Sequence, residues 1–214
     1  MSTERKDFDS VAAFWDEKPD RVRLAHDVAD AIRSEIALTR DMDVLDFGCG
    51  TGLVTLRLQP LVRSVTGADS SRGMLDILSS KVARGGLENV GVLLLDPDGT
   101  IALPGMYHLI TSSMTFHHLP DVGSILALFH RSIIPGGYLA VADLDSEGGM
   151  FHGDGEGVFH RGFDRAGLRR SFMEAGFVEV RDTTAAEIVK PDRAGTMGRF
   201  SVFVMMGRKP CPNL

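Results

Sequence analysis

Cysteine is scarce in this chain, and long apolar runs are absent. The two cysteines, Cys49 and Cys211, have no CxxC partner, so their spacing implies neither a disulfide framework nor a zinc knuckle. No apolar stretch approaches the roughly 18 residues of a membrane span. Positive charge is also in deficit: 23 Lys and Arg stand against 29 Asp and Glu, a formal net charge of −6. Phosphate-backbone binding relies on Lys and Arg, so no nucleic-acid partner is expected. The series Arg161, Arg165, Arg169 and Arg170 reads as a solvated helix face. Met1 to Lys6 lacks the basic start, apolar middle and cleavage site of a secretory signal, which makes a cytoplasmic location the expectation.

What is present is an alternation of apolar runs and helix-like segments, without repeats or low-complexity stretches. That pattern favours a parallel sheet covered on both faces. The 214 residues suit one α/β domain over 1–214, with an N-terminal helical lid over 1–40 and a core over 41–214. Ser10 to Ala37 reads as two helical pieces broken near Pro19. Strands are predicted at Asp43–Phe47, Ser64–Ala68, Val90–Leu95, Tyr107–Ser112, Tyr138–Ala142, Phe177–Asp182 and Phe200–Gly207. Ser70 is expected to cap the helix through Met74, Leu75 and Leu78. Asp121 opens another helix, and Pro135-Gly136-Gly137 is expected to end it and turn into the fifth strand. Asp145 to Gly157 reads as a mobile loop.

The strongest chemical signal is Val44-Leu45-Asp46-Phe47-Gly48-Cys49-Gly50-Thr51-Gly52. An apolar strand runs into a glycine turn and then a helix, so a ligand can approach backbone N–H groups without a Cβ in the way. The spacing is G-x-G-x-G. A dinucleotide fingerprint requires a third glycine where Leu53 stands, and no Gly-Lys-Ser/Thr marks a phosphate loop. A nucleotide-dependent oxidoreductase is therefore disfavoured. Cys49 reads as a small residue filling the turn. Asp69 ends the second strand, where a carboxylate can accept hydrogen bonds from both ribose hydroxyls; it also fits a cap for the helix that follows. Asp96 ends the third strand near the expected adenine position, or else serves a turn at Asp-Pro-Asp-Gly.

The glycine turn, Asp69 with its following Met-Leu, Asp96, YHLITSSMTFHHLPD and IIPGGYLAVAD together resemble the class I S-adenosylmethionine-dependent methyltransferases. The nearest flavour is the small-molecule group that includes the quinone-biosynthesis methyltransferases. The resemblance is good over Val44 to Asp143 and looser beyond. It implies a doubly wound, Rossmann-like α/β fold with a mostly parallel seven-stranded sheet and an antiparallel last strand. It also implies S-adenosyl-L-methionine as cofactor and a small-molecule methyl acceptor as partner.

The roles it implies are specific. Asp46 and the turn at Gly48, Cys49 and Gly50 hold the methionine portion. Asp69 takes the ribose hydroxyls, with Ser70 and Met74 beside the adenosine. Asp96 and Pro97 contact the adenine. Ser112, Ser113 and Met114 lie near the methionine end and the acceptor. Trp15 belongs to a helix that closes over the cofactor, or to ordinary core packing. Ser112-Ser113-Met114-Thr115 stands where base-modifying amino methyltransferases often carry an Asn/Asp-Pro-Pro-aromatic signature, and this favours a small acceptor.

A base is needed only where the nucleophile arrives protonated. His117 and His118 are the candidates, with Asp143 as a second choice. The resemblance implies that His117 lies at the edge of the acceptor pocket, and His152, His160 and Phe163 are expected to line a lid over it, because the 145–162 stretch is expected over the carboxyl ends of the strands. The histidine spacing fits no zinc pattern, so no metal site is expected. A different class of function, a non-catalytic cofactor-binding module, shares the same sequence features.

Overall fold

The computed structural model describes residues 7–96, 102–151, 157–192 and 195–212. Seven strands form one sheet: β1 (Asp43–Phe47), β2 (Ser64–Asp69), β3 (Val90–Leu94), β4 (Tyr107–Ser113), β5 (Ile133–Leu144), β6 (Val178–Pro191) and β7 (Met197–Arg208). Their order is β3-β2-β1-β4-β5-β7-β6. β1 to β5 pair in parallel, and β7 runs antiparallel between β5 and β6. The order reverses between β1 and β4, and the carboxyl ends there form the crevice where ligands bind in open α/β sheets.

Successive side chains on a strand point to opposite faces, and the central strands are apolar on both. Val44, Leu109, Ala140, Val202 and Val204 pack on one face against Val28, Ile32 and Leu58. These last come from α1 (Pro19–Glu35) and α2 (Leu53–Leu58). Leu45, Ile110, Leu139, Val141 and Phe203 face the other way, against Leu126, Phe129, Leu168 and Phe172. Those belong to α4 (Val122–Ser132) and α5 (Arg165–Glu174). A smaller cluster joins Cys49 to Leu75 and Leu78 of α3 (Arg72–Gly85). No described helix is long and apolar enough to cross a membrane.

Four expectations are revised. Of the 1–40 segment expected as a lid, α1 packs into the core, with Val28, Ala29 and Ile32 fully buried. Only the preceding segment, a 3₁₀ helix over Asp9–Glu17, is a candidate cover. The cap of α3 is Ser71, whose Oγ accepts from the Met74 N–H at 3.1 Å, and not Ser70. Pro135-Gly136-Gly137 lies inside β5 as an irregularity, since Tyr107 pairs with Ile133 but Leu109 with Tyr138. Finally, β6 continues past Asp182 to Pro191, pairing with β7 up to Met197. It is an edge strand, half-exposed and bearing Glu187 and Lys190, so its hydrophobic pattern is weak by nature.

Candidate active site

Local backbone chemistry builds the floor. Gly48, Gly50 and Gly52 all have positive φ (+72°, +54° and +82°). A Cβ on Gly48 would lie 2.2 Å from the Thr115 Oγ1, and one on Gly52 would lie 2.3 Å from the Leu78 Cδ1. The turn is thus packed on two sides by neighbours that only glycine admits. At Gly50 the nearest atom to such a Cβ is the Met74 Sδ at 3.9 Å, and this residue lines an open cavity. The Gly48 and Cys49 N–H groups donate to the Ala68 carbonyl at 2.7 and 3.1 Å. Those bonds tie the turn to β2.

Asp69 holds the turn from the side. Its Oδ2 accepts from the Gly50 N–H at 2.7 Å and its Oδ1 from the Ser71 N–H at 2.9 Å. Burial nevertheless raises its pKa, outweighing these bonds. Deeper in, Asp46 is 1% exposed and accepts from the Thr55 Oγ1 at 2.6 Å. Burial pushes this acid up to about 6, with the Asp69 charge adding to the effect. The Cys49 thiol is pushed up by burial too, so it stays protonated.

The 3₁₀ helix covers this floor through two acids. Asp16 accepts from the Thr51 Oγ1 at 2.6 Å and pairs with the Lys81 Nζ at 2.5 Å, while Lys81 also donates to the Thr51 carbonyl at 2.7 Å. Asp9 accepts from the Ser71 Oγ at 2.5 Å and the Gly73 N–H at 2.8 Å. Beside these two attachments in the chain, Phe8 and Trp15 meet edge to face, 5.9 Å between centroids.

The far wall carries two histidines on the loop after β4. The His117 Nδ1 lies 2.7 Å from the Asp143 Oδ1, and the His117 N–H donates to the Asp143 Oδ2 at 3.2 Å. Asp143 is fully buried, and it also accepts from the Leu144 N–H at 2.8 Å. His118 donates from Nδ1 to the Gly157 carbonyl at 2.6 Å, its ring 4.1 Å from that of His117. The cavity measures about 950 Å³, at the upper end of the range for small-molecule sites.

The pattern of the methyltransferase domain matches residues 21–183. The chain belongs to the S-adenosylmethionine-dependent methyltransferase domain family. An uncharacterized methyltransferase of Schizosaccharomyces pombe is 28% identical over 152 residues, 61% of this chain and 54% of that protein. A ubiquinone biosynthesis O-methyltransferase of Sodalis glossinidius is 30% identical over 148 residues, 64% of this chain and 57% of that protein. The chain spans about half the length of the curated relatives it matches. Among solved structures, the YcgJ protein from Bacillus subtilis superposes with a TM-score of 0.74 at 15% identity, over 87% of this chain and all of that one. At such identity the likeness shows the fold alone.

The donor of this methyltransferase domain is S-adenosylmethionine, and the residues present fit it. Asp69 keeps acceptor capacity beyond its backbone bonds, since a carboxylate offers about four lone-pair sites. Gly50 leaves the approach open, and Asp46 supplies a buried acid beside it.

Trp15, Asp46, Gly48, Cys49, Gly50, Asp69, Ser70, Met74, Asp96, Ser113, Met114, His117 and His118 all line the cavity. Other sequence candidates are placed elsewhere. Ser112 is fully buried within the sheet, because side chains alternate and Ser113 takes the cavity side. Asp143 does not line the cavity; it stands behind His117 and holds it. Phe163 is partly buried and packs against the core on the α4 and α5 side. His160 is turned to the loop backbone, 3.0 Å from the Leu119 carbonyl, so it fastens the His117 loop instead of facing an acceptor. Pro97 and His152 lie outside the described residues. Among the described residues no group of three or more His, Cys, Asp or Glu is placed to hold a metal.

Several lining residues had no sequence signal of their own: Phe8, Arg21, Leu24, Ile188 and Lys190. Arg21 and Leu24 lie at helical spacing on one face of α1, and that spacing reads equally well as core patterning.

Proposed function

We propose that this methyltransferase domain moves a methyl group to a small-molecule acceptor whose nucleophile arrives protonated, with His117 taking the proton. The buried His117–Asp143 pair in the cavity wall carries the reading. A carboxylate only accepts hydrogen bonds, so Asp143 fixes the His117 Nδ1 as the protonated nitrogen and leaves Nε2 as the base. The bonds from the His117 and Leu144 N–H groups hold the carboxylate itself in place.

S-adenosylmethionine, when bound, supplies a methyl group already activated by its sulfonium charge. Asp69 receives the ribose hydroxyls, and Asp46 faces the methionine portion with the glycine turn. Trp15 and Phe8 close the cavity from above and exclude water. The remaining work is alignment: Ser113, Met114 and His117 set the acceptor behind the methyl group for in-line displacement. Met114 has φ +54°, a strained conformation for a side chain of its length, and such strain gathers at functional sites. The acidic balance of the chain and the name of the ubiquinone-biosynthesis relative both favour a small acceptor over a nucleic acid.

The test is methyl transfer from isotope-labelled S-adenosylmethionine to a panel of phenols, thiols, amines and carboxylic acids. Transfer to at least one member is expected, with His117→Ala lowering kcat roughly 100-fold or more. Unchanged turnover in His117→Ala would overturn the assignment of the base. Binding of S-adenosylhomocysteine without transfer to any member would favour a non-catalytic binding module.

A further inference from the structure

The cavity holds a cation to which the cofactor reading above assigns no role. Arg21 lies in the first turn of α1, half-buried in the cavity wall. Its guanidinium carbon sits 3.5 Å from the centroid of the Trp15 ring, and its Nη1 donates to the Trp15 carbonyl at 3.3 Å. Stacking on an aromatic face and a backbone bond together fix the orientation of the group. One of its five donors is used, and the others remain for a ligand. Burial lowers the pKa of Arg21, and Asp16 is the acid that counteracts this. Asp16, however, is already committed to Thr51 and Lys81. Arg21 makes no ion pair with any described residue, whereas Arg23, next but one, pairs with Asp20 at 2.9 Å.

The surroundings describe what such a cation would take. One turn further along α1, Leu24 packs on the same core as Met114, Phe151 and Ile188, and all four line the cavity. Lys190 of β6 lines it as well, its Nζ 3.5 Å from the centroid of Phe151. Other charges on this side are the exposed Glu17 and Lys18, Asp20 held by Arg23, and Asp121, whose carboxylate caps α4 through Ser124. Asp69 and Asp96 lie on β2 and beyond β3, on the opposite flank of the sheet from β6.

We propose that the methyl acceptor is an amphiphile bearing an anionic group of carboxylate type, which seats on Arg21 while the apolar body lies along Leu24, Phe151 and Ile188. The proposal rests on the methyl-transfer reading above. A planar guanidinium fork matches a carboxylate with two parallel hydrogen bonds, and a desolvated cation gains most from an opposite charge.

The same chemistry has a second possible source, the amino-acid carboxylate of the cofactor, and the experiment separates the two. The protein is titrated calorimetrically with 2-naphthoate and with its neutral counterpart 2-naphthamide, with and without S-adenosylhomocysteine. The acid is expected to bind about tenfold more tightly than the amide, as one charge-assisted contact warrants. Arg21→Met is expected to erase that ratio and Arg21→Lys to keep part of it. A general loosening of the helix would weaken both probes and leave the ratio unchanged. Equal affinities in the unsubstituted protein, no binding of either probe, or a ratio that survives in Arg21→Met would each overturn the proposal. So would a loss in Arg21→Met confined to S-adenosylhomocysteine and absent for 5′-methylthioadenosine, which lacks the amino-acid carboxylate. Failure of the unsubstituted protein to bind S-adenosylhomocysteine would strike the methyl-transfer reading, while the naphthoate ratio is read without cofactor.

Discussion

Asp46 is an acid that the fold keeps at a cost. Burial pushes it up to about 6 from an ordinary 3.8. Across that window the folded protein holds a proton that the unfolded chain releases. Stability therefore falls as pH rises from about 4 to about 6, and the loss levels off above at roughly 3 kcal/mol. Asp46→Asn keeps an acceptor for Thr55 and removes the charge. It is expected to raise the unfolding free energy of the cofactor-free protein at pH 8 and to change it little at pH 4, as measured by denaturant titration at both. Destabilisation at pH 8 would contradict the burial argument. The neighbouring Ser71 does two jobs, capping α3 and binding Asp9. Ser71→Ala is expected to cost about 1 kcal/mol for the cap alone. At this scale the sequence was informative where a residue sits at a strand end. Asp46, Asp69 and His117 are legible from position. The holding role of Asp143 is not, because its partner is 26 residues away and only the pairing of β4 with β5 brings them together. Ser70 and Ser71 are equivalent as letters; the difference is that Arg72 begins the helix.

At the scale of elements, the 3₁₀ helix over Asp9–Glu17 is fastened by side chains rather than by a buried apolar face. Ala12 is its single described buried residue, and Phe14 is 64% exposed. Its hold on the glycine turn passes through Asp16, Thr51 and Lys81. Asp16→Ala is expected to speed amide hydrogen exchange across 9–17 and to raise the dissociation rate of S-adenosylhomocysteine, with exchange in α1 unchanged. Unaltered exchange in that segment would show that the two aromatic rings suffice. The amphipathic pattern around Phe14 and Trp15 announces a helix but not its type, nor that α1 belongs to the core. Edge strands are similarly hard to read. β6 was visible only to Asp182, since its second half buries little and owes its place to pairing with β7.

For the molecule as a whole, the order of strands follows from a regular alternation of buried runs and helices, and that alternation is legible before any coordinate. The cavity is not. It is assembled from the 3₁₀ helix and α1, the glycine turn, the loops after β2 and β4, and β6, segments spread from Phe8 to Lys190 along the chain, and this is why Arg21 and Ile188 carry no signal alone. A ligand that binds only the folded form stabilises it by mass action, about 2.7 kcal/mol at 100 times Kd. For a domain of this size that corresponds to a rise in Tm of about 5–10 °C with S-adenosylhomocysteine. Thermal unfolding with and without the ligand checks it, and an unshifted Tm would speak against a built site.

Calorimetric titration with S-adenosylhomocysteine, run beside NAD and repeated on Asp69→Ala, tests the central claim most directly. The account expects saturable binding of S-adenosylhomocysteine, none of NAD, and at least a roughly tenfold loss in Asp69→Ala. Binding of NAD, or an affinity for S-adenosylhomocysteine that survives Asp69→Ala, would contradict it.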